Sequence, residues 1–369
     1  MKNSIYILVS LFVCFTQLSA KNSKENLEPQ FELVSIHPQP VIGRHVPDAK
    51  DVKFGFEGGS VRKIHGVYYL STTECFDEPK TAAVRIALWK SLDGTHFKRV
   101  CIMDKTNYNW NDTTYRMSPW APILTYDSAN ERWSVFHVGY KRKPYSTDVF
   151  NMSGKIARQD SKVKGMRGIE GPYSEVHWID VDNNPDAWES TNGMLGFYPF
   201  QVKNQWYAFF CCNGVPIDNN PRSADSLRVA NKIAFQTGLV KSSRLNGHWE
   251  RCSSINPVPF DPEFIENPVV TRLKNGCYIA LYDGNNDHAL PYTWSYDGVH
   301  WAKRRLLQLD NVPSWLYHIR TPLSLIEEKD GTYTVYFTAF DGLNPEGILP
   351  LWHVGYGNVG KMSVRIKFK

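Results

Sequence analysis

Two acidic side chains open apolar segments of this 369-residue chain: Glu57 heads Glu57-Gly58-Gly59, and Glu266 heads Glu266-Asn267-Pro268. Two carboxyl groups held on opposite sides of a scissile bond can divide acid–base work. One protonates the leaving atom while the other activates water or attacks. A third acid, Glu189, lies in Trp188-Glu189-Ser190-Thr191, ahead of the apolar segment that contains Tyr198. Arg320 and His318 sit together in Tyr317-His318-Ile319-Arg320-Thr321-Pro322. The planar fork of an arginine can clamp a carboxylate or a substrate hydroxyl. Trp120 and Tyr198 offer aromatic faces, and Asp283 begins the polar stretch Asp283-Gly284-Asn285-Asn286-Asp287-His288. Each residue also has a plainer reading. Glu266 could bond strand-end amides, the glycines after Glu57 could form a bulge, Arg320 could sit in an ion pair between sheets, and Trp120 could be core.

Residues so far apart in sequence act together only if the fold gathers them. One pattern recurs from positions 57, 120, 198, 266 and 320: a short apolar strand, a turn, then a strand rich in Tyr and Trp. The alternation, the aromatic and β-branched content, and the turns Asn275-Gly276 and Asp330-Gly331 are hairpin signals. The intervals leave room for further outer strands. Ser91-Leu92-Asp93-Gly94-Thr95-His96-Phe97 and Ser295-Tyr296-Asp297-Gly298-Val299-His300-Trp301 share one form, expected to be a turn whose Asp bonds backbone amides. The expected fold is all-β: a five-bladed β-propeller, four antiparallel strands per blade, spanning residues 51–369 as one domain. Residues 21–50 form a polar lead-in that packs on it. In a propeller the first strand of each blade starts at the channel mouth, so Glu57, Trp120, Tyr198, Glu266 and Arg320 converge there. The stretch 141–190 reads as an insert that walls off a pocket.

The repeat, Trp120-Ala121-Pro122, Glu266-Asn267-Pro268 and the Ser-x-Asp-Gly-x-His turn resemble the five-bladed propeller glycoside hydrolases. These are family 43, with its arabinanases, xylosidases and arabinofuranosidases, and the invertase-like families. The likeness runs from about residue 40 to the end of the sequence. It implies hydrolysis of a glycosidic bond in an oligosaccharide or polysaccharide, with no cofactor required. In that group an acid of the first blade is the base, an Asp of the third blade tunes the acid, and a Glu opening the fourth blade is the general acid. Glu266 matches the last position. The first blade carries Glu57 where the group usually has Asp-Pro. The third has Tyr198-Pro199 and no carboxylate, the nearest upstream acid being Glu189. The missing third-blade acid keeps a non-catalytic sugar-binding propeller open. Tyr317, His318 and Arg320 keep a polysaccharide lyase open.

Composition narrows the partners. The formal charge is +5 and no Lys/Arg run tracks a phosphate backbone, which argues against nucleic acid. Lys2, an apolar run over residues 5–15 and Leu18-Ser19-Ala20 read as a signal peptide over residues 1–20, and hence as export. A lipoprotein acylated at Cys14 ranks second. No later run is long enough to span a bilayer, and a monomer is expected. The remaining cysteines show no metal-type spacing, and Cys211-Cys212 sits inside an apolar strand, so buried thiols are expected. The run from Asp180 to Asp186 leaves room for a structural calcium ion but lacks the EF-hand glycine and terminal glutamate. No Gly-x-Ser-x-Gly, Walker A or His-Glu-x-x-His motif occurs.

Overall fold

The protein is described by a computed structural model covering residues 27–77, 83–109, 111, 113–142, 152–190, 192–213, 235–261, 264–284, 288–343 and 355–369. The expected signal peptide lies outside them. Among the described residues the architecture is almost entirely β, and no helix is long and apolar enough to cross a membrane.

The strands run as antiparallel meanders. The first is β2 (Gly55–Ile64), β3 (Val67–Asp77), β4 (Ala83–Ser91) and β5 (Lys98–Lys105). The second is β6 (Ser118–Asp127), β7 (Arg132–Arg142), β8 (Met152–Asp160) and β9 (His177–Trp178). The third is β11 (Gly196–Val202), β12 (Gln205–Asn213), β13 (Phe235–Ser242) and β14 (His248–Arg251), with β10 (Asp180–Val181) added in parallel to β14. The fourth is β15 (Glu266–Arg272), β16 (Tyr278–Asp283), β17 (Ala289–Ser295) and β18 (Arg305–Gln308). The last is β19 (His318–Glu327), β20 (Tyr333–Phe340) and β21 (Gly357–Phe368), and β1 (Pro29–Ile36) pairs antiparallel with β21. Part of the lead-in is therefore a strand, because its alternating residues Phe31 and Leu33 pack on the apolar cluster beneath β21.

The last and first meanders are hydrogen-bonded into one eight-stranded sheet, but through a single residue pair, Gly55 with Gly357. The leading strands contact one another in a cycle: β2 with β6, β6 with β11, β11 with β15, β15 with β19, and β19 with β2. The sheets pack through aromatic side chains. Phe136, Phe197, Phe200, Phe209, Phe210 and Trp249 belong to one buried cluster, with Phe197 and Trp249 edge to face at 5.0 Å. Burying each such ring is worth about 1.5–3 kcal/mol.

The Ser-x-Asp-Gly-x-His segments form the same turn twice. Asp93 Oδ1 accepts from the amides of Thr95 and His96, and Asp297 Oδ1 from those of Val299 and His300. Burial alone would raise the Asp297 pKa, but His300 and these amides pull it down to about 2. One expectation is corrected. Residues 152–160 are not an insert: they are β8, which pairs with β7 from end to end. Residues 177–178 form β9 at the edge of the same sheet. The polar character of this stretch reflects outer strands with one wet face.

The Gly55–Gly357 joint gives the first prediction. Gly55 has φ +98°, and a Cβ there would lie 2.2 Å from the Gly357 nitrogen. Gly55→Ala is expected to destabilise the protein by about 2–3 kcal/mol. Urea unfolding measures this, and a midpoint equal to wild type would show that the joint tolerates a side chain.

Candidate active site

Four of the five leading strands share a defect at the same level; β11 is regular. Their registers slip after Glu57, after Trp120, after Glu266 and after Ile319. Gly58, Ala121 and Asn267 all have positive φ, of 64°, 51° and 55°. Each slip is a β-bulge, which bends the strand and re-aims the neighbouring side chain. The bulge at Glu57 is pinned: Thr72 Oγ1 donates to the Gly58 carbonyl at 2.8 Å, and Thr73 Oγ1 accepts from the Ala121 amide at 2.8 Å. The glycines after Glu57 do form a bulge, as the plainer reading expected.

The re-aimed side chains meet at Arg320. Its Nε lies 3.3 Å from Glu57 Oε1, and its Nη1 lies 2.7 Å from Glu266 Oε2 and also contacts Asp283 Oδ2. Asp283 stands directly across the β15–β16 pair from Glu266. Glu57 is 3% exposed and Glu266 9%, so the cluster is almost dry. Burial would lower the Arg320 pKa, but the charges of Glu266 and Glu57 raise it above its ordinary value, and the guanidinium stays charged. Two contacts and the width of one guanidinium limit the separation of the paired Glu57 and Glu266 oxygens to about 8 Å. They can flank one bond. Arg320 is therefore committed to carboxylates, and the expected clamp on substrate is replaced by a clamp on the acids.

Tyr198 also differs from expectation. It is buried, and its hydroxyl donates to Asn267 Oδ1, while Asn267 Nδ2 donates to Thr321 Oγ1 at 3.1 Å. This relay links β11, β15 and β19 through the residues next to Glu266 and Arg320. Burial pushes the Tyr198 phenol well up, so it stays a donor. Tyr198 thus positions the site and presents no face to substrate. Trp120 is half-buried, packed between the large aromatic cluster and a small one formed by Phe54, Cys75 and Val84. His318 is buried with its ring stacked on Phe340, centroids 6.3 Å apart. Asp283 belongs to the buried cluster rather than to a polar loop, and residues 285–287 of that loop lie outside the described ones.

Glu189 is not brought to Glu266. Arg251 holds it in a bidentate pair, Nε to Oε1 at 2.6 Å and Nη2 to Oε2 at 2.9 Å. Its charge is felt by Cys212, whereas the charge of Glu266 is felt by Cys211. Adjacent strand residues point to opposite faces, so β12 stands between the two acids. Sequence spacing could not reveal this, because the partner arginine lies sixty-two residues away. The acids of the 180–186 run are engaged as well. Asp180 and Asp182 hold His248, and Asp186 accepts from Trp188 Nε1. The described residues contain no cluster of His, Cys, Asp and Glu arranged to hold a metal. The six cysteines among the described residues are free thiols, four of them buried. Burial pushes Cys211 up to about 12. A surface cleft of about 600 Å³ lined by Phe76, Lys105 and Tyr108 lies at β5, three strands out from Glu57, and takes no part in the cluster.

No protein-family model matches this sequence, and no curated protein matches it. Solved structures match it in shape. The complex of BT0996 with RGII aligns with TM-score 0.63 at 9% identity, over 90% of this protein and 92% of that one. Zg3597, a family 117 glycoside hydrolase from the marine bacterium Zobellia galactanivorans, aligns with TM-score 0.60 at 11% identity, over 92% and 91%. CoXyl43, a family 43 β-xylosidase/α-arabinofuranosidase from a compost microbial metagenome solved with xylotriose, aligns with TM-score 0.53 at 10% identity, over 92% and 95%. The protein shares the fold of these solved structures.

Proposed function

We propose that the protein is an exported glycoside hydrolase built on a five-bladed propeller, the five meanders being its blades. Glu266 is the general acid, and Glu57 is the base that activates water. The observation that carries this reading is the Arg320 guanidinium touching both, since 209 residues and several sheets separate them in sequence. A scissile oxygen placed beside Glu266 receives its proton while water held by Glu57 attacks the anomeric carbon. Glu266 and Asp283 meet on one guanidinium nitrogen, which fixes the acid in place beside the base. A separation of at most about 8 Å is compatible with the roughly 6.5–9.5 Å spacing that goes with inversion of configuration. Their deep burial suits a narrow site that admits the end of a saccharide.

The test is a panel of aryl glycosides and plant oligosaccharides given to the purified protein, with the anomer released first read by proton NMR. Turnover with inversion is expected. If no glycoside is cleaved while saccharides still bind, the second reading takes its place: a sugar-binding propeller without catalysis. What favours that reading is Tyr198, which occupies the third sheet's leading strand with no carboxylate beside it.

A further inference from the structure

Tyr317 immediately precedes β19 and stands three residues before Arg320, about 10 Å along an extended backbone. It is on the same end of the sheets as the carboxylates, because Glu57, Glu266 and Arg320 all lie at the starts of their strands. It is 56% exposed, unusual for an aromatic residue next to a dry cluster. Its backbone is fixed on both sides: its amide donates to the Phe340 carbonyl at 2.9 Å, and its own carbonyl accepts from His288 Nε2 at 3.1 Å. Its ring has a close neighbour on one side. Gly342 has φ +73°, and a Cβ there would sit 2.8 Å from Tyr317 Cγ, so the ring rests against a position only glycine can fill. Beside it Leu343 is 64% exposed. An aromatic ring open to solvent on a fixed backbone, with an apolar neighbour and a hydroxyl tip, is a surface on which a flat apolar face can settle.

We propose that Tyr317 is a stacking platform for a sugar ring one or more units away from the bond that is cleaved, the apolar C–H face of that ring lying on the phenol. The ligand class rests on the glycosidase reading above. The platform makes the protein a reader of oligosaccharides rather than of single sugars. The buried cluster engages the reacting unit, and Tyr317 engages its neighbour at the rim.

The experiment uses full-length Glu266→Gln protein on a printed array of plant oligosaccharides and their constituent monosaccharides. Calorimetry then follows with the tightest oligosaccharide and its terminal monosaccharide. Adding Tyr317→Ala is expected to weaken oligosaccharide binding about tenfold, to leave the monosaccharide unchanged, and to be rescued by Tyr317→Phe or Tyr317→Trp. Equal affinity for the oligosaccharide, or equal loss for both sugars, overturns the proposal. Hydrolysis by wild type with binding indifferent to Tyr317 removes the platform and leaves the glycosidase. Tyr317-dependent binding without hydrolysis removes the glycosidase and leaves the platform. Neither hydrolysis nor binding removes both.

Discussion

Glu266→Gln is expected to cut kcat on an unactivated glycoside by about 10²–10⁴-fold, the usual contribution of a positioned acid. The substitution keeps the shape of the side chain, so the fold and the bound saccharide should survive. A second measurement separates acid from base. With a leaving group that departs without a proton, such as a dinitrophenolate, Glu266→Gln should recover most of its activity, because the missing proton is no longer needed. Glu57→Gln should stay slow with every leaving group, since water activation is needed in all cases. If the two variants respond alike to the leaving group, their roles have been assigned wrongly. Full activity of Glu266→Gln on unactivated substrates would remove the residue from the mechanism altogether.

Arg320→Met should destabilise the protein by about 3–5 kcal/mol, the cost of leaving buried charge without its partner. Three carboxyls lean on that guanidinium, and Glu57, Glu266 and Asp283 are all buried. The pH dependence gives the sign. In the variant, buried carboxyls without their cation favour the protonated form, so the folded state binds more protons than the unfolded one. Stability then rises as pH falls. Urea unfolding at neutral and at mildly acidic pH should show the gap to wild type narrowing on the acid side. Arg320→Lys restores a charge but not a fork, and one compact ammonium cannot reach all three acids, so partial recovery is expected. A gap that stays constant with pH would mean that Arg320 acts through packing and not through charge.

The sequence alone determined the local chemistry of the protein. Alternating aromatic strands and Asn-Gly or Asp-Gly turns dictate hairpins, because side chains alternate in a strand and such turns supply positive φ. The repeated hairpin, with the short motifs at Trp120 and Glu266, was enough to indicate an all-β fold and to place Glu57, Glu266 and Arg320 among a wider set of candidates. The turns at Asp93 and Asp297 were legible for the same reason, since every bond in them spans only a few residues. Tertiary structure decided the rest. Whether Glu189 joins Glu266 depends on Arg251 and on which side of β12 each acid falls, and neither is a property of its local segment. Tyr198 reads from the sequence as an aromatic face for substrate, and only packing brings Asn267 to its hydroxyl. Asp283 became part of an acid cluster because strand pairing set it opposite Glu266. Residue type and spacing fix what a side chain can do. Its partner is fixed only when distant strands pack, because burial and charge pairing are properties of the assembled core.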